Sequence, residues 1–145
     1  MKHKKLVLHS TLFLTAGTIY TLCEKAYRGF SHWTMFVLSG LVFIPIGQLN
    51  KRFSWDMPLV LQMLIGSSII TLGEFITGCI VNLRLGWNVW DYSDMPGNIL
   101  GQICPQSSAL WCIAALAIIL LDDFIRYKFF GEEKPRYTFV RWGNG

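Results

Sequence analysis

Four stretches of this chain are almost free of formal charge. No Asp, Glu, Lys or Arg lies between Lys5 and Glu24, from Gly29 through Asn50, or from Met95 through Leu121, and from Met57 through Leu83 only Glu74 interrupts. A helix that crosses a bilayer needs about 20 mostly apolar residues at 1.5 Å rise each, and several of these runs meet that length. They predict helices near 6–26, 33–50, 58–83 and 107–125. Charged residues make up 15% of the chain, against about 25% in an average soluble domain, and they sit in short islands between the runs. The fold class expected is therefore all-α, an integral membrane four-helix bundle, with residues 1–145 forming one membrane domain.

The net charge of +4 raises the question of nucleic acid, and the placement of the basic residues answers it. In a four-span model Lys2, Lys4, Lys5, Lys51, Arg52, Arg126, Lys128, Lys134, Arg136 and Arg141 fall on one side. Only Lys25, Arg28 and Arg84 fall on the other. That asymmetry fits the positive-inside rule with both termini cytoplasmic, so membrane lipids rather than nucleic acid are the expected partners. The basic start followed by an apolar run also resembles a signal peptide, but the run is long and no A-x-A pattern follows, so it is read as the first helix. Cys23, Cys79, Cys104 and Cys112 show no C-x-x-C spacing and, with three scattered His residues, make a poor metal set. No metal or cofactor is expected, and the cysteines read as buried membrane thiols.

Trp33, Trp87 and Trp90 fall where the outer interface is expected, and Trp55 and Trp142 near the inner one, as an aromatic belt requires. Pro45 is expected to kink the second helix, and Gly40 and Gly47 to allow close packing there. Between the third and fourth helices, residues 85–106 are rich in Gly, Pro, Asn, Asp and Trp, and Met95 to Ser108 carries no charge. That stretch is too punctuated for a spanning helix and too apolar for an ordinary solvated loop. A re-entrant segment at 95–106 is the favoured reading, with an external interfacial loop as the alternative. The stretch 128–145 mixes aromatic and basic residues and reads as a cytoplasmic, surface-hugging tail.

Glu74 is the most informative single residue, because an ionisable group inside a span is costly unless it faces the bundle interior, water or a partner. Ser67, Thr71, Glu74, Gly78 and Asn82 step by four, three, four and four residues, which lays them along one helix face. By helix rise Glu74 lies roughly 6 Å to the outer side of the midplane. Glu24 has Arg28 one turn on, and Asp122 and Arg126 have the spacing of an i,i+4 pair. Thr11, Thr15 and Thr18 share a helical period, but hydroxyls in membrane helices usually bond to their own backbone or bridge helices. If the 95–108 segment folds back on the third helix, Glu74, Asp91, Tyr92, Asn98 and Gln102 converge on one outward-facing polar pocket, the candidate substrate-binding set. The alternative is that Asp91 and Asn98 cap turns while Trp90 and Tyr92 anchor the interface.

The order Glu74-x3-Gly78, then Trp90-Asp91-Tyr92-Ser93, Pro96, Asn98, Gly101, Ile103-Cys104 and Trp111 resembles the ABC-transporter type IV permease family of small bacterial membrane proteins. The resemblance covers about residues 74–111. Pro105 departs from it and argues against continuous helix just before the fourth span. The resemblance implies a multispanning protein of the bacterial cytoplasmic membrane with a transport-associated role, and it supplies no substrate and no catalytic residues.

Three functions remain open on the sequence. The first is a permease-like subunit that binds a small polar or amphiphilic solute beside Glu74. Four helices leave little room for a pathway within one bundle, so a homo-oligomer or other membrane subunits would be needed. With no G-x-x-x-x-G-K-[ST] loop, any ATPase would be a separate chain acting in trans. The second is a membrane-embedded enzyme that uses Glu74 and Asp91 as acid and base on a lipid. No Ser-His or Cys-His nucleophile arrangement, H-E-x-x-H motif or glycine-rich nucleotide fingerprint supports it, so an enzyme is the weaker expectation. The third is a non-catalytic assembly or regulatory protein.

Overall fold

The computed structural model describes residues 2–140. Arg141 and Trp142, assigned above to the inner side, lie outside the described residues, as does the end of the tail beyond 140.

Four long helices account for most of the chain. Helix α1 (Lys2–Arg28) is followed by α2 (Trp33–Gly47), the one-turn α3 (Leu49–Arg52), α4 (Leu59–Gly78) and α5 (Pro105–Phe130). Cys79–Arg84 prolongs α4 as a π-helix, with wider i→i+5 turns. Counting α2 with α3, and α4 with its extension, four helical segments are long and apolar enough to cross a membrane: Lys2–Arg28, Trp33–Arg52, Leu59–Arg84 and Pro105–Phe130. The chain is an all-helical, multi-pass membrane protein. Among the described residues the nearest approach to β structure is an isolated bridge between Ile99 and Ile103.

The helix ends follow from local chemistry. His32 caps α2 by accepting from the Thr34 amide, and Gly131, with a φ of 66°, ends α5 in the left-handed conformation that glycine adopts without strain. Pro45 lies inside α2, and the helix yields two residues later, where the Gln48 amide turns to the Pro45 carbonyl and α3 starts afresh. Pro105 is the first residue of α5, where its missing N–H costs nothing, and Cys104 caps that end through its sulfur. The departure at Pro105 thus marks where the fourth helix begins, two residues earlier than the sequence suggested.

Helix α1 packs on α2, α4 packs on α5, and α2 lies against both α4 and α5. The main apolar core joins Val42 and Ile46 of α2, Ile70 of α4, and Ala115 and Ile119 of α5. The glycines set how closely the helices approach. A Cβ on Gly40 would meet the Phe13 ring of α1, and one on Gly47 would collide with Asp122 of α5. Helix α1 touches α5 only sparsely, through Leu8, Leu12 and Ile125, near the start of α1 and the end of α5. Beyond these residues the two helices part.

Each end of the bundle has its own chemistry. At the basic end Lys51 Nζ reaches both Asp122 and Asp123, and Arg126 Nε donates to Asp122 Oδ2 at 2.7 Å. The Asn50 amide and the Tyr137 hydroxyl complete the group by donating to Asp123 Oδ2. The tail closes over this end, because the Leu59 and Val60 amides, free donors in the first turn of α4, are taken by the carbonyls of Thr138 and Phe139. At the opposite end, here the loop end, Arg28 Nη1 pairs with Glu24 at 2.8 Å and its Nη2 donates to the Val89 carbonyl, tying α1 to the segment 85–104. His32, Trp33 and Trp87 cluster at this end, with Trp33 and Trp87 well exposed. Trp90, assigned above to the same belt, is instead buried beside Met35 and Val81.

Candidate functional site

The polar face of α4 points inward along its length. Ser67 Oγ donates to the Ser108 carbonyl, and the Thr71 and Ser108 hydroxyls lie 2.9 Å apart. One turn further, Glu74 is 2% exposed and both its oxygens accept a hydrogen bond: Oε1 from the Tyr92 hydroxyl and Oε2 from the Trp111 indole, each at 3.0 Å. Gly78 leaves room for Gln102 and Trp90, since a Cβ there would lie 2.5 Å from Gln102 Oε1. Asn82, held in the π-helical turn, donates to Gln102 Oε1 at 2.9 Å and accepts from the Val89 amide at 2.7 Å.

The five residues singled out from the sequence divide into three groups. Glu74 and Tyr92 meet directly. Burial, then the neighbouring Glu74 carboxyl, pushes the Tyr92 hydroxyl above the ordinary tyrosine range, which keeps it a donor. Gln102 is buried in an adjoining network: its side chain bonds to Asn82 and to the Leu100 carbonyl, and its own carbonyl accepts from the Trp90 indole. Asp91 and Asn98 bond within the loop. Asp91 accepts from the hydroxyl and the amide of Ser93, which hold its carboxylate below the usual range. Asn98 ties the Ser93 and Met95 carbonyls to the Gly101 amide. The chain reverses tightly at Leu100 and Gly101, both at positive φ, and a Cβ on Gly101 would press on Ser93 and Asp91.

Trp111 is the partner of Glu74 that sequence reasoning did not assign. It was noted only as a motif residue, although an indole N–H is a donor that must find an acceptor when buried. Two polar groups of α1 that the sequence singled out are tied locally. Thr11 donates to the Val7 carbonyl of its own helix, and Glu24 is taken by Arg28 and Ser31. The cysteines are all free: Cys104 is buried, Cys79 and Cys112 are half-buried, and Cys23 is exposed on α1. Among the described residues no three His, Cys, Asp or Glu side chains gather as a metal site would require.

Where α1 and α5 part, a cavity of about 420 Å³ opens between α1, α2, α4 and α5. Its walls are Ile19, Leu38, Val42, Ile70, Ala114 and other apolar residues, with Glu74 as the single carboxylate among the described residues and Tyr20, Phe43 and Trp111 as the large aromatic rings. Ile19 and Ile113, exposed at its rim on α1 and α5, leave an apolar mouth between the two helices. The volume lies within the range of small-molecule sites, which combine apolar walls with a few placed polar groups.

No curated protein and no solved structure matches the chain. A family model does, over residues 7–140, so the likeness extends well beyond the residues 74–111 that carry the motif. The chain belongs to the family described as Putative ABC-transporter type IV.

Proposed function

We propose that this protein is the membrane subunit of an ABC-type transporter and binds an amphiphilic solute in the cavity between α1 and α5, with Glu74 as the polar anchor. One observation carries the reading: the apolar walls of the cavity hold one buried carboxylate, already oriented by Tyr92 and Trp111. A group so fixed presents its remaining lone pairs in a set direction without first having to be ordered. With the basic end cytoplasmic by the positive-inside rule, the cavity belongs to the outer half of the bilayer, and the segment 85–104 reaches its carboxylate through Tyr92. The exposed Ile99 and Leu100 at the tip of that segment favour its immersion at membrane depth, in keeping with a re-entrant segment. Energy would come from an ATPase in another chain, and one bundle lining a single cavity fits a homo-oligomer or a complex with other membrane subunits.

The test combines two measurements. Brief cross-linking in native membranes followed by mild purification should recover a stoichiometric ATPase. In vesicles reconstituted with that complex, Ala114→Phe, which fills the cavity, should abolish ATP-dependent flux of an amphiphilic substrate while the complex still assembles. Flux unaffected by the filled cavity would refute the site, and a preparation that holds no ATPase would refute the subunit assignment.

A further inference from the structure

We infer that the occupant of the cavity is a lipophilic cation, an alkylammonium group carried on an apolar body, and that it enters sideways from the bilayer between α1 and α5. The inference rests on the amphiphile-binding reading above and names its chemical class.

The first ground is charge. Among the described lining residues there is one carboxylate and no Lys, Arg or His. The nearest guanidinium on α1, Arg28, is engaged by Glu24 and the Val89 carbonyl. A carboxylate in apolar surroundings favours a positive partner and repels an anion, and no cation stands ready to receive a phosphate or carboxylate headgroup. The second ground is the shape of the polar end. Trp111 donates to Glu74 and also lines the cavity, and Tyr20 adds a second ring. Aromatic faces beside a carboxylate form the environment that receives ammonium groups, through ring quadrupole and charge together. The third ground is access. The mouth is flanked by Ile19 and Ile113, both exposed on helices that cross the membrane, so a membrane-dissolved molecule reaches Glu74 along an apolar path. A zwitterionic phospholipid would bring a phosphate beside its ammonium group, for which the walls hold no counter-charge. The proposal is therefore a free amphiphilic ammonium cation that carries no phosphate.

The experiment uses the full chain in phosphatidylglycerol nanodiscs, with binding to empty discs subtracted, and three radiolabelled probes that share one tail: dodecyltrimethylammonium, dodecanol and dodecanoate. Saturable binding of the ammonium probe, about tenfold or more tighter than either of the others, is expected. Glu74→Gln should remove that preference while dodecanol binding persists. The headgroup ranking in the unmodified protein tests the inference even if the variant folds poorly. Phosphatidylethanolamine added to the discs should leave the probe in place. Displacement by it would make a membrane lipid the occupant and overturn the inference. Equal binding of cation and alcohol, with both lost in Ala114→Phe, would overturn the cation inference and leave the amphiphile reading standing. Absence of saturable binding by all three probes would overturn both.

Discussion

Replacing Lys51 by Met removes an ammonium group while keeping most of the stem that carries it. In the native protein Lys51 and Arg126 face Asp122 and Asp123, two cations on two carboxylates, with Glu132 at the rim. The Asp122 and Asp123 side chains have no exposed surface, whereas that of Lys51 is 22% exposed. Without Lys51, Asp122 keeps Arg126, but Asp123 keeps only the neutral donors Asn50 and Tyr137. Breaking a buried pair by removing one partner costs about 3–5 kcal/mol, because the other charge remains buried. Partial exposure of Lys51 places this case at the lower end, about 3 kcal/mol. The assay is unfolding in mixed micelles as the denaturing detergent is raised, followed by tryptophan fluorescence. Asp123→Asn on the Lys51→Met background removes the uncompensated charge and should restore at least about 1 kcal/mol, a coupling that a double-mutant cycle isolates. A loss below about 1 kcal/mol for Lys51→Met, the value of an exposed pair, would refute the reasoning. So would a double variant no more stable than the single one.

Two further outcomes are expected elsewhere. Gly78→Ala sets a Cβ 2.5 Å from Gln102 Oε1 and 3.0 Å from the Trp90 ring, so it should cost about 1–3 kcal/mol and speed proteolytic cleavage within 85–104; unchanged cleavage would show that the loop does not rest on that face. Burial, then the Asp123 carboxylate, raises the Tyr137 hydroxyl above the ordinary tyrosine range. Its stabilising contribution is therefore complete below the unfolded value of about 10 and is lost as pH rises through the higher folded value. Tyr137→Phe should cost about 1.5 kcal/mol at neutral pH, and should subtract one late-titrating group from the tyrosinate absorbance curve; a normal titration for that group would count against the buried contact.

The helices were legible because the bilayer imposes a length and a composition that show directly in uncharged runs. The inward face of α4 was legible for a related reason: a period of three and four residues puts Ser67, Thr71, Glu74, Gly78 and Asn82 on one side, and hydrocarbon is a poor place for that side to face. Tyr92 was legible as a candidate beside Glu74, whereas its neighbour Asp91 satisfies itself on Ser93, a local alternative that spacing alone does not decide. The cavity was not legible. It depends on where α1 and α5 diverge, which is a property of packing between segments far apart in the chain. The group around Asp123 escaped for the same reason, since Asn50 and Lys51 come to it from α3 and Tyr137 from the tail, both far from Asp123 in the chain. Trp90 was misplaced because an indole near a helix end serves equally as an interface anchor or as a buried donor, and the Gln102 carbonyl that receives it is supplied by a distant turn.

The strap across the basic end bears on biogenesis. The amides of Leu59 and Val60 are met by carbonyls that leave the ribosome 79 residues later, at Thr138 and Phe139. During insertion α4 therefore enters the bilayer with its first turn open, and that turn is sealed only after α5 has followed. A chain truncated before the strap would keep its four helical segments while leaving the Leu59 and Val60 amides to water. Synthesis of a ten-residue segment thus separates an inserted intermediate from the finished fold.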